Sequence, residues 1–411
     1  MNRDERKRVR GVMLCHFVAS LAALGMPPFF AILLSEEFAS TQLHLVGWLY
    51  VLPTVFSALA APWWGRFADR YGARRSLIRA QIGLALGFLL ASQAGSVSGF
   101  ALALAVQGML GGTFAASNTW LAGELEGERL ARALTAMQAS ARAALVVAPI
   151  LFGYLIGGIS PLTLYAWLAL LPLAAAALVA TFPAHGPTRE AARAADSASS
   201  DTRSSPPGAA KTVPPGLLLW LQFGFSFACV VTYPYFIADL QGRFTGLSTV
   251  TLATLFSLPH LVYLALSAPL GKVLRRYCPR RILTLAFAAM ALACWAQYGL
   301  AGSGWQSEAG MWLARVAMGL AMTAAFVALH RLMSSASRQR AGRLFGRLFG
   351  RLDAAAKWAG VAAGLGAGVL ASRFGLASPL LASAWVLAAL GLSLVPRLAQ
   401  LLPSPSQRTR T

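Results

Sequence analysis

Apolar stretches of about 20 residues, the length that crosses a bilayer as a helix, recur along the chain between short polar or basic segments. They fall near 11–34, 43–64, 76–95, 99–121, 134–157, 162–182, 216–238, 249–270, 281–301, 310–333, 352–371 and 378–396. Hydrocarbon offers no water to backbone polar groups, so each stretch must close its hydrogen bonds internally. The pattern therefore predicts an all-α membrane protein of twelve transmembrane helices. Residues 183–215 interrupt it: rich in Pro, Ser, Ala and charge, they cannot bury a core. They predict a cytoplasmic linker between an N-terminal six-helix bundle, 1–182, and a C-terminal six-helix bundle with a short tail, 216–411.

Composition agrees with this class. The chain is 57% apolar and 12% charged, where a soluble domain carries about 25% charged residues. The net charge of +21 could suggest nucleic acid, but its distribution argues against that partner. With the N-terminus cytoplasmic and loops alternating, the inner side holds Arg3 to Arg10, Arg66 to Arg79, Arg129 and Arg132. It also holds the cations of 189–211, of 272–281, from Arg331 to Arg351, and of the tail; the outer side holds Arg243 and Arg373. This is the positive-inside bias, and it puts both termini in the cytoplasm. The first apolar stretch has the basic start of a signal peptide but is too long and lacks a small-x-small cleavage site, so it reads as the first membrane helix. Cys15, Cys229, Cys278 and Cys294 have no metal-like spacing. There is no G-x-x-x-x-G-K-[ST] and no clustered nucleophile, base or metal-ligand set. The sequence thus predicts no cofactor, no metal site and no enzyme activity.

The two halves repeat each other. Residues 65–75, GRFADRYGARR, match residues 271–281, GKVLRRYCPRR, at an offset of 206. Pro28 pairs with Pro234, Phe30 with Phe236, Phe38 with Phe244 and Pro53 with Pro259 at the same offset; further on, Gly108 meets Gly319, Arg142 meets Lys357 and Gly153 meets Gly368. Two six-helix bundles related by an axis along the membrane normal form the parallel-repeat architecture of rocking transporters.

On these residues the chain resembles the major facilitator superfamily, whose loop between helices two and three reads G-x-x-x-D-R-x-G-R-R. The resemblance spans the chain and implies pseudo-symmetric bundles that alternate access to a central site. It assigns Gly65, Asp69, Arg70, Gly72, Arg74 and Arg75 to a cytoplasmic gate. Asp69 can there face the positive N-terminus of the eleventh helix, while the arginines meet lipid headgroups. Arg275 stands where the second copy would need the acid, so the gate is expected to be asymmetric.

Charges inside the apolar spans cost about 2.5–3.5 kcal/mol or more at the bilayer centre, which singles out Arg142, Arg315, Asp353 and Lys357. Asp353 and Lys357, at i and i+4, can pair on one face. Arg142 and Arg315 either pack against helix ends and tertiary partners, or line a central cavity whose guanidinium groups suit an oxygen-rich anion. Gln138 and Gln222 offer hydrogen bonds to such a substrate. Phe30 and Phe236 lie on helices that the resemblance places at the cavity, although packing explains aromatics there equally well. A proton-coupled cycle needs a titrating group; Asp353, His16 and His330 are the candidates.

The layout looks like that of exporters of small anionic metallophores and siderophores, in a bacterial cytoplasmic membrane, with protons as coupling ion and the monomer as functional unit. Two departures qualify it. The fifth helix, ARAALVVAPILFGYLIGG, keeps Pro149 and Gly153 but has Ala144 and Ala148 where exporters often carry glycine. The fourth helix has Leu104 where the family usually has Arg, and the second half retains Arg315 at the matching place. A broad multidrug antiporter and an importer of organic anions are the alternatives.

Overall fold

The structure, a computed structural model, describes residues 3–125, 127–182, 214–302, 307–338 and 343–399. Among the described residues all regular structure is helical, and ten stretches are long and apolar enough to cross a membrane. The chain is a multi-pass membrane protein: large apolar side chains such as Leu285, Leu313 and Trp385 stand exposed on its exterior, as a lipid solvent requires.

The first half comprises α1 (Arg3–Gly25), α2 (Phe30–Phe38), α3 (Leu43–Tyr71), α4 (Ala73–Ser92), α5 (Val97–Leu110), α6 (Thr113–Glu124), α7 (Gly127–Ile156) and α8 (Pro161–Ala180). The second comprises α9 (Pro215–Val230), α10 (Phe236–Arg243), α11 (Thr249–Leu274), α12 (Pro279–Gly302), α13 (Glu308–Arg338), α14 (Arg343–Phe374) and α15 (Ser378–Ala399).

Three of the expected spans are broken, each for a local reason. The first passes through a 3-10 turn at Pro27–Phe29, since neither Pro27 nor Pro28 has an N–H to continue the α ladder. The fourth is two helices, α5 and α6, parted at Gly111–Gly112, where Gly112 takes φ +83°, a conformation open to glycine. The seventh stops at Val230 and turns before Pro234, leaving α9 short. That helix and α4, which opens on the basic run ARRSLIR, are the two expected spans outside the ten. Side-chain caps start two others: the Ser96 hydroxyl accepts from the Gly99 amide at 3.1 Å, and that of Ser160 from Thr163 at 3.3 Å.

The described residues form two compact units. One takes those of Met1–Thr202 together with Pro234–Ser257; the other takes those of Arg203–Tyr233 and Leu258–Thr411. In the first, α4 packs on α8 and α5, and α1 on α7 and α8. In the second, α12 packs on α15 and α13, and α9 on α14 and α15. These are the same pairings one half apart, so the repeat seen in the sequence extends to which helices pack. Pro234–Ser257 follows the linker in sequence yet groups with the first unit. Tyr235 explains part of this: its hydroxyl donates to the Leu43 carbonyl at 2.6 Å and accepts from the Gly47 amide at 3.0 Å.

Candidate functional site

The repeated loop bends where α3 ends. Gly72 takes φ +88°, donates its N–H to the Ala68 carbonyl at 2.8 Å and accepts from the Ser76 amide at 3.2 Å. One residue therefore closes α3 and opens α4, a bend that costs a side-chain-bearing residue strain. Arg74 ties the bend to the last turn of α8: its Nε donates to the Val179 carbonyl at 3.3 Å and its Nη2 to that of Ala180. Arg75, Asp69, Arg70 and Gly65 are exposed. The Arg70 guanidinium lies 5.4 Å from the Tyr71 ring centroid. The second copy of the loop bends differently. Cys278 replaces the glycine, and Arg331 of α13 caps the end of α11 from outside. Its guanidinium donates to the carbonyls of Leu274 at 2.6 Å, Arg275 at 3.2 Å and Tyr277 at 3.3 Å.

In the first unit, Arg142 is half-buried on α7, one turn beyond the exposed Gln138. His16 is buried on α1, which packs against α7. Its Nε2 lies 3.4 Å from the Ser20 hydroxyl and its ring 5.2 Å from that of Phe114. Phe30 is buried in an aromatic cluster, edge-on to Phe100 at 5.7 Å, which in turn meets Tyr165 at 5.5 Å. Phe236 is buried beside Phe256 at 6.1 Å.

In the second unit, Arg315 is 3% exposed, with Nη1 3.3 Å from the Met318 sulfur and with Cys294 and Tyr233 as electrostatic neighbours. Lys357 and Asp353 pair at 2.8 Å, both side chains more than half exposed. Gln222 is half-buried and donates to the Ser226 hydroxyl at 3.1 Å. His330 is exposed and stacks on Phe326 at 6.0 Å, which itself packs on Phe225 at 4.7 Å and Tyr263 at 5.4 Å.

Sequence reasoning missed the packing roles of four residues that organise these surroundings: Arg74 as a tie to α8, Arg331 as a helix cap, Tyr235 as a tie to α3, and Arg79 as a cap at the α5–α6 break. Arg79 stacks on Trp64, 3.6 Å from the ring centroid, and donates to the carbonyls of Leu110 and Gly111. The adjacent Gly111–Gly112 pair was the available signal, because a broken helix leaves carbonyls for a cation to cap. Among the described residues no group of three or more His, Cys, Asp or Glu is placed to hold a metal ion.

A family model described as Major Facilitator Superfamily matches residues 12–350. The multidrug resistance protein MdtG of Dickeya zeae is 30% identical over 144 residues, which is 34% of this chain and 35% of that protein. MdtG of Serratia proteamaculans is 30% identical over 109 residues, 26% of each. The chain thus aligns with about a third or less of the length of these curated relatives. Among solved structures, the human organic anion transporter MFSD10 (TETRAN) superposes with TM-score 0.66 at 17% identity, covering 96% of this chain and 100% of that one. A POT family transporter in complex with 5-aminolevulinic acid gives TM-score 0.71 at 12% identity, covering 97% of each. At such identities the likeness is one of fold.

Proposed function

Because the chain belongs to the major facilitator superfamily, a superfamily of transporters and not of enzymes, we propose that it is a secondary transporter that exports a small, anionic, siderophore-like metabolite by proton-coupled alternating access. Two six-helix halves joined by the 183–215 linker are the moving bodies, in a bacterial cytoplasmic membrane with both termini inside. The observation that carries the substrate class is Arg315, a guanidinium 3% exposed within a span. Arg142, half-buried in the matching half, supports it. Cations in such positions are costly, and an anionic cargo offers a reason to keep them. Lys357, Gln138, Gln222, Phe30 and Phe236 complete the proposed substrate site. Asp353, His16 and His330 are the proposed proton carriers, and Gly65 to Arg75 the cytoplasmic gate.

The test is metabolite profiling of spent medium from a deletion strain grown with and without iron. Loss of an exported acidic chelator, restored by the wild-type gene and not by Arg142→Gln or Arg315→Gln, is the expected result. An unchanged profile overturns the substrate class. Multidrug efflux is the second reading, favoured by the multidrug-resistance relatives at 30% identity. It is distinguished by a deletion strain that becomes sensitive to several lipophilic cations while its secreted acids are unaltered.

A further inference from the structure

The basic end of α3 carries a cavity lined in part by residues of the proposed gate segment. It measures about 520 Å³, runs along the last turns of α3, and is closed by Met109 and Leu110 of α5. Its construction follows from the break at Gly111–Gly112. The carbonyls freed there are taken by Arg79 of α4, and the same guanidinium lies over the Trp64 ring. The Trp64 indole N–H donates to the Met109 carbonyl at 2.6 Å. The Trp64 indole, which lines the cavity, is thereby held in place from behind by Arg79.

Two cations line the cavity itself. Arg66 and Arg70 stand one turn apart on one face of α3, both exposed. The Nε of Arg66 donates to its own helix at the Pro62 carbonyl, 3.3 Å away, and Arg70 rests beside the Tyr71 ring. Their remaining guanidinium N–H groups are available to an outside acceptor. The walls are of the opposite character. Trp63, Phe67 and Tyr71 present aromatic surface, and Trp63 is 73% exposed. Asp69, the nearest carboxylate in sequence, lies on the next face of the helix, outside the lining.

A rim of two guanidinium groups over an aromatic trough matches a molecule with a phosphodiester at one end and hydrocarbon at the other. We propose that this cavity is a binding site for an anionic glycerophospholipid of the phosphatidylglycerol kind. Arg66 and Arg70 grip the phosphate, and an acyl chain lies along Trp63 and Phe67. A free phosphate would satisfy the guanidiniums and leave the aromatic trough bare, so the lipid is the better fit. The site shares Arg66 and Arg70 with the proposed gate segment but does not rest on any reading of cargo or coupling.

The test uses the full-length protein, stripped of lipid in detergent and titrated by native mass spectrometry with phosphatidylglycerol, phosphatidylethanolamine or phosphatidylcholine. One equivalent of phosphatidylglycerol should be held about tenfold more tightly than phosphatidylcholine, and the preference should vanish in the Arg66→Gln/Arg70→Gln variant. Equal retention of the three lipids, an undiminished preference in that variant, or displacement by millimolar inorganic phosphate would overturn the proposal. Should the double variant fold poorly, Trp63→Phe decides. Dibrominated phosphatidylglycerol in nanodiscs should quench the wild type more than this variant, with no such difference for dibrominated phosphatidylcholine. Identical quenching differences with the two lipids would also overturn it.

Discussion

The hydroxyl of Tyr235 sits astride the first turn of α3, between the Leu43 carbonyl and the Gly47 amide. In an uninterrupted helix these two groups pair with each other, one as the i acceptor and one as the i+4 donor. Tyr235 engages both, from 192 residues away for Leu43 and 188 for Gly47, and so holds Pro234–Ser257 onto the first unit by a helix's own hydrogen-bonding groups.

Tyr235→Phe keeps the ring and removes both bonds. Both are bonds between neutral groups, and α3 is helical from Leu43 onward without them, so the loss should be modest, about 1 kcal/mol. Its signature is local. Amide exchange over 236–243 should accelerate, with a small drop in Tm, while exchange in α12 and α15 stays as in the wild type.

Gly108 and Gly65 separate packing from gating. A Cβ on Gly108 would collide with the backbone of Pro53 in α3, so Gly108→Ala should cost about 1–3 kcal/mol by overpacking. A Cβ on Gly65 meets nothing within 4 Å, and within a helix Ala is favoured over Gly by about 1 kcal/mol. Gly65→Ala should therefore leave Tm unchanged or raised in detergent. A transport defect in that stable variant would place Gly65 in the gate, and full transport would remove it.

Arg74 and Arg75 are adjacent and chemically identical, yet they should behave differently. Arg74→Gln loses the bonds to the Val179 and Ala180 carbonyls, which should cost about 1–2 kcal/mol. Arg75→Gln, whose parent side chain is exposed, should leave the stability within about 0.5 kcal/mol of wild type. Thermal unfolding of the two variants in the same detergent checks this.

Lys357→Gln and Asp353→Asn break a pair whose members are more than half exposed. Exposed pairs contribute little, so each substitution should cost no more than about 0.5 kcal/mol. Any large loss of uptake or efflux in these variants then reports on substrate or proton handling, measured at equal expression of folded protein.

The apolar runs made the membrane helices legible, and the shared loop made the repeat legible. What escaped was set by single backbone groups and by distant partners. Nothing in LLLWLQFGFSFACVVTYPYF announces that α9 stops at Val230 and not at Pro234. Phe30 illustrates the limit for the candidate site, because aromatic content does not reveal which face a ring takes, and here it is buried against Phe100. Tyr235 and Arg331 were invisible for another reason: each acts on residues dozens to hundreds of positions away, where local spacing carries no information.

The two copies of the loop thus keep their shape by different means. The first holds its bend in its own backbone at Gly72, and any residue with a side chain there must distort it. The second has its turn shaped by a neighbour, the guanidinium of Arg331. Replacing Arg331 on α13 should therefore loosen a loop more than fifty residues upstream, whereas its twin carries its own bend at Gly72 and its own tie to α8 at Arg74. With its carbonyls held by another helix, the second loop has no need of a glycine in a left-handed conformation, and Cys278 stands where the first copy has Gly72.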